Sequence, residues 1–164
     1  MPGGSPASPT RLHWLALAVI LVFAAAHAWH RGFFIDDAYI SFRYARNLVE
    51  GHGLVFNPYE RVEGYTNFSW TLMIAGVMAG GLEPVLFTQA LGIASAIALL
   101  IVLYLWGLRL GLDPAWSLLA PAMLAVNRTY AVWSTGGLET RWFTLLLVAA
   151  AFRLTLEKSP SAGG

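Results

Sequence analysis

From Val85 to Leu108 the chain runs without a charged side chain. A helix over that stretch is long enough for the hydrocarbon core of a bilayer, which about 20 apolar residues cross. Inside a bilayer every backbone N–H and C=O must be satisfied within the protein, so such a run folds as helix. Three other stretches extend the pattern. Leu12 to Trp29 is a span of about 18 residues, close to the crossing length, with His13 and Trp14 at one end and His27 near the other. A cleaved signal peptide is the rival reading there, with Arg11 ahead of the apolar region and Ala26-His27-Ala28 as a small-x-small site. The apolar region is long for that role, so a retained span is the preferred reading. Ala115 to about Tyr130 reads as a third span with Pro121 inside it, since Pro is tolerated in membrane helices. Arg141 to Leu156 reads as the last. Phe68 to Leu82 is apolar but only about 15 residues, interrupted by Gly76, Gly80 and Gly81, which suits a re-entrant or interfacial segment.

The composition agrees. The chain is 57% hydrophobic and 12% charged, where soluble domains carry roughly a quarter charged residues. It cannot cover a water-facing surface, and the fold class follows: an all-α integral membrane protein. It has about four transmembrane helices, with amphipathic juxtamembrane helices in the first outer loop. A net charge of +1 gives no case for nucleic acid as a partner. The absence of cysteine excludes disulfides, thiolate metal sites and Cys nucleophiles. Residues 1–10 and 159–164 read as disordered tails around a single module, 11–158, with no internal repeat.

Chemistry must come from a few polar islands. The richest is Phe34-Ile-Asp-Asp-Ala-Tyr-Ile-Ser-Phe-Arg-Tyr-Ala-Arg-Asn-Leu48. It sets Asp36 and Asp37 just beyond the first span, where carboxylates are costly to desolvate and usually have a task. Asp36 to Glu50 reads as an amphipathic helix with Ile40, Tyr44 and Leu48 as its apolar stripe, stopped by Gly51. Capping explains one aspartate but not two. The pair suits either a general base acting on a hydroxyl or a ligand for a divalent cation beside a phosphate. Arg43 and Arg46 on the same helix suit paired hydrogen bonds to a lipid phosphate, or a solvated face meeting anionic headgroups. Tyr65, Phe68 and Trp70 suit interfacial anchoring, or the lining of a sugar or lipid site. The second island, Asn127 to Thr140, carries Glu139, either a carboxylate at a helix start or a second acidic group of the site. If Phe68–Leu82 does not cross, Arg11, Arg109, Arg153 and Lys158 share the cytoplasmic ends, as the positive-inside rule favours. The Asp36-Asp37 and Glu139 loops then share the outer face.

Asp36 to Leu48, Gly51-His-Gly-Leu-Val-Phe-Asn-Pro58 and Val62-Glu-Gly-Tyr-Thr-Asn67 together resemble the first outer loop of the GT-C membrane glycosyltransferases. The likeness is to bacterial arabinofuranosyltransferases and, more distantly, to protein O-mannosyltransferases. Asn127-Arg-Thr-Tyr130 is similar to bacterial oligosaccharyltransferase sequences. The resemblance implies a plasma-membrane enzyme that moves a sugar from a polyprenyl-phosphate donor to an acceptor hydroxyl of a cell-envelope glycan or protein, on the outer face. It implies Asp37 first and Asp36 second as catalytic or metal-binding acids, with Glu139 as the second-loop acid. Metal dependence differs between branches of the superfamily, so a divalent cation stays open as a cofactor. Such enzymes run to several hundred residues, so the chain is expected to be an N-terminal fragment or truncated gene product. The alternative is a non-catalytic small membrane protein that binds a polyprenyl-phosphate lipid or a partner enzyme; a transporter fragment with structural acids is a third.

Overall fold

A computed structural model describes residues 8–157. Most of the two expected tails, and Lys158, lie outside the described residues. Within them the chain folds as α1 (Arg11–His30), α2 (Ala38–Val49), α3 (Phe68–Ala79), α4 (Pro84–Arg109), α5 (Pro114–Ser117), α6 (Leu119–Val126), α7 (Arg128–Val132) and α8 (Thr140–Glu157).

Two helices, α1 and α4, are long and apolar enough to cross a membrane. α4 starts where Glu83 accepts the Leu86 N–H at 2.6 Å, with Pro84 at its first position, where the missing N–H is no loss. α8 has 18 residues but carries Arg141, Arg153 and Glu157. The continuous third span expected over Ala115–Tyr130 is not observed. That stretch is cut at Leu118 and again at Asn127. Pro121 has no N–H to return to the Ser117 carbonyl, four residues back, and its ring crowds that group. At Asn127 the backbone turns extended, with ψ 120°, and the side-chain oxygen takes the Tyr130 N–H at 2.9 Å. An Asn that caps the next helix ends the one before it.

These helices form a bundle. Ala24 of α1, Ala96, Leu99 and Leu100 of α4, Ala125 of α6 and Tyr130 of α7 make its buried core, with Leu145 and Val148 of α8 packed against it. Small residues let backbones approach, which is how helices associate where lipid removes the hydrophobic drive. At Gly92 an added Cβ would strike the Ser134 carbonyl. Polar ties supplement the packing. The Tyr130 hydroxyl donates to Ala96 O at 2.7 Å, and His27 Nδ1 lies 3.0 Å from Ala125 O. Trp14 meets Tyr104 edge-on at 5.4 Å, and Trp106 lies 6.2 Å from Phe152. The start of α1, the end of α4 and the end of α8 therefore share one end of the bundle. Arg11, Arg109 and Arg153 stand there, opposite the acidic loops.

α2 and α3 form a separate platform at that other end. α3 has 12 residues, about 18 Å at the usual helical rise, well short of the roughly 30 Å a crossing needs. It packs along α2 through Trp70, Ile74 and Ala75 against Ala38, Phe42 and Ala45. The apolar stripe expected on α2 is thus displaced. Tyr44 is buried and Leu48 partly so, but Ile40 is 38% exposed. Small Ala38 and Ala45 form the buried face instead, because they admit the bulk of Trp70.

Candidate active site

The aspartates do not open a helix as expected; they form the turn before it. α2 begins at Ala38, and Asp37 occupies the N-cap position without a capping bond from its side chain. Asp36 Oδ1 accepts the Asp37 N–H at 3.1 Å. Both residues are exposed. Helix capping therefore leaves the Asp37 carboxylate unused and occupies only one oxygen of Asp36.

Asp36 lines a cavity of about 560 Å³ together with Arg43, Arg46, Asn47 and Glu83. Phe42, Phe56 and Val85 supply apolar wall. The two arginines on α2 differ in state. Arg43 Nε donates to Phe56 O at 2.7 Å and Nη2 to Asn57 Oδ1 at 3.2 Å, and its guanidinium lies 4.7 Å from the Phe56 ring centre. It clamps the following loop. Arg46 has no side-chain hydrogen-bond partner among the described residues, which leaves its donors free toward the cavity.

That loop, residues 51–67, has no regular structure beyond an isolated Asn57–Glu60 bridge, yet it is held at several points. Asn47 Nδ2 donates to Val55 O at 2.7 Å and Phe56 O at 3.0 Å. The Tyr44 hydroxyl donates to Val62 O at 2.8 Å and accepts the Gly64 N–H at 2.9 Å. Buried polar groups satisfied in this way rigidify a loop.

Glu139 is joined to the same platform. Asn67, directly before α3, donates from Nδ2 to Glu139 Oε2 at 2.9 Å. Its Oδ1 accepts from Thr71 Oγ1 at 3.2 Å, and Ser41 Oγ lies 3.2 Å from Oδ1. The backbones meet nearby: Ile35 N–H donates to Gly136 O at 3.2 Å, and Phe33 N–H to Thr135 Oγ1 at 3.2 Å. Gly137 has φ +85°, and a Cβ there would fall 2.5 Å from the Phe34 ring, so both its conformation and its packing require glycine. At the foot of α8, Arg141 donates to Tyr130 O at 3.0 Å with its guanidinium 4.2 Å from the Tyr130 ring centre. The structure thus brings both acidic loops to one end of the molecule. Glu139 itself is bonded into the interface between them rather than lining the Asp36 cavity.

Sequence reasoning assigned no role to Asn47, Asn67 or Glu83. Asn67 offered one signal, a capping-type residue directly before an apolar helix; its actual partner, Glu139, is distant in sequence. Among the described residues, no group of three or more His, Asp or Glu side chains is placed to hold a metal ion.

A helical protein with two helices of membrane-crossing length, carrying its polar groups on a loop platform at one end, has the form of a membrane-embedded module. Sequence comparison then gives its kinship. It is 36% identical to a terminal β-(1→2)-arabinofuranosyltransferase of Mycobacterium tuberculosis, over 67% of this chain and 17% of that protein. It is 30% identical to a terminal β-(1→2)-arabinofuranosyltransferase of Corynebacterium glutamicum, over 91% of this chain and 24% of that protein. The resemblance read from the loop motifs therefore holds, and the chain spans less than a quarter of the length of these relatives. No family model and no solved structure matches it.

Proposed function

We propose that this chain is the amino-terminal membrane module of a glycosyltransferase that moves a pentosyl sugar from a polyprenyl-phosphate donor to an acceptor hydroxyl on the outer face. α1, α4, α8 and the broken α5–α6 segment serve as its four membrane segments. The α2–α3 platform rests at the outer interface. The observation that carries this reading is the cavity whose wall holds both Asp36 and Arg46, with the uncapped Asp37 next to Asp36 in the chain but outside the lining itself. Kinship with arabinofuranosyltransferases supplies the reaction class.

Each group has a task. The acceptor hydroxyl attacks the anomeric carbon while Asp37, backed by Asp36, takes its proton. The bond from that carbon to the phosphate oxygen breaks, and the pair of electrons leaves with the phosphate. Arg46 stabilises the charge that develops there, and its planar fork suits two phosphate oxygens. Arg43 shapes the cavity by holding Phe56. The isoprenoid tail runs from the cavity past Met78 and Val85, apolar members of its wall, toward the bundle. Glu139 holds the second loop against the first.

The test is Asp37→Asn in an active transferase carrying this segment. Loss of a general base should lower turnover by about 10²–10⁴-fold with helix content unchanged. Near-normal turnover would remove Asp37 from the proton-transfer role. Arg46→Ala in the same enzyme should raise the KM for the lipid donor, where Arg43→Ala should instead loosen residues 56 and 57.

A further inference from the structure

The platform carries a second concavity, lined by none of the groups given a task above. It has a volume of about 550 Å³ and is lined by His52, Arg61, Glu63, Tyr65 and Phe68 among others. It shares no lining residue with the Asp36 cavity. Tyr65 and Phe68 lie nearly parallel, with centroids 6.3 Å apart and planes at 22°. The buried Tyr44 ring braces Tyr65 edge-on at 4.7 Å, and Tyr44 is itself pinned by its two bonds to the loop backbone. The aromatic surface is therefore set in place before any ligand arrives.

We infer that this concavity is a subsite for an extended carbohydrate, the stem of the acceptor glycan. A sugar ring presents an apolar C–H face and a rim of hydroxyls, each both donor and acceptor. The aromatic pair meets the first requirement. Arg61 offers only donors, ionised Glu63 only acceptors, and His52 one of each when neutral, which meets the second. An anionic headgroup fits less well, because Glu63 offsets the charge of Arg61 in the same wall. Phe68 directly follows Asn67, the residue bonded to Glu139, so a glycan held here lies next to the junction of the two acidic loops. Contacts remote from the reacting atoms supply binding energy that orients a polymeric substrate. The choice of glycan rests on the glycosyl-transfer reading; the existence of the subsite is tested without it.

The probe is a short arabinofuranosyl oligosaccharide titrated against the chain in lipid nanodiscs, followed by saturation-transfer NMR. Binding should be saturable, with sugar protons receiving magnetisation from aromatic protons. Tyr65→Ala and Arg61→Ala should each weaken it about tenfold or more, a factor worth about 1.4 kcal/mol. Tyr65→Phe, which keeps the ring, should bind like the parent chain, and Tyr65→Ala should keep the parent's amide hydrogen exchange at Gly64, whose N–H meets Tyr44, so that its loss of binding is not unfolding. Arg153→Ala, at the far end of the bundle, should also bind normally. Absence of saturable binding, or an affinity in Tyr65→Ala and Arg61→Ala equal to that of the parent chain, overturns the inference. So does a Tyr65→Ala chain whose only change is shallower burial of the loop in the bilayer, since the rings would then be membrane anchors. Intact oligosaccharide binding beside normal turnover in Asp37→Asn would retain the subsite and discard the catalytic assignment, so the two ideas fail separately.

Discussion

The bundle and the platform bury side chains to the same depth by different means. Leu100 in the bundle and Ile74 in the platform are both fully buried. Around Leu100 the neighbours are small or aliphatic, and few hydrogen bonds run between helices. Around Ile74 the packing is roofed by a polar lattice: Asn47, Tyr44 and Arg43 hold one loop, while Asn67 and Glu139 hold the other. The contrast teaches where specificity resides in a membrane protein of this kind. Lipid is as apolar as leucine, so burial alone says little about which helix goes where. In the platform, hydrogen bonds between named partners decide it, and the turn that carries Asp36 and Asp37 leads directly into that lattice.

The largest expected effect breaks or confirms this contrast directly. Ile74→Ala should destabilise the platform by about 2–5 kcal/mol, the usual range for a large-to-small change in a core that water enters on unfolding. Leu100→Ala should cost less, because lipid rather than water covers the exposed face in the dissociated bundle. Chemical denaturation in mixed micelles, read by site-specific probes on α3 and α4, measures both. Equal losses would mean that the platform lies in the same medium as the bundle. A smaller effect is expected at the junction. Asn67→Ala removes the donor to Glu139 and should cost about 1 kcal/mol, the net worth of a typical hydrogen bond, because the carboxylate is only partly buried and water can take the donor's place. Hydrogen exchange should accelerate at Ile35, whose amide meets Gly136, while α4 stays protected; unchanged exchange there would show that the loops meet without this bond. The smallest effect belongs to the bundle. Tyr130→Phe removes the bond to Ala96 O and should cost about 0.6 kcal/mol, the mean for interhelical bonds in lipid. A loss several times larger would place that hydroxyl in the kind of lattice seen only in the platform.

Much of the helix pattern was legible. α1 and α4 fall within a residue of the runs Leu12–Trp29 and Val85–Leu108, because apolar length alone specifies such helices. α3 was legible as too short to cross, and the loop glycines as breaks. The breaks in the third stretch were not legible because hydropathy does not register hydrogen bonding: Ala115–Val126 is apolar but for Ser117, yet Pro121 and Asn127 interrupt the backbone ladder. The stripe on α2 was misplaced for a related reason. Periodicity favoured bulky Ile40, whereas the buried face was chosen by the shape of Trp70, a residue of another helix.

By itself the sequence determined that this chain is helical and apolar, that most of its carboxylates lie in two polar loops, and that Asp36 and Asp37 stand where the first long helix ends. Each of those properties is local, written in a run or in neighbouring residues. Only the tertiary structure decided that Arg43 is a clamp while Arg46 has no side-chain partner among the described residues, that Glu139 is held by Asn67, and that the two loops meet at one end of the bundle. Those outcomes depend on contacts between residues far apart in the chain, and hydrogen-bond geometry across such separations is set by how the helices pack.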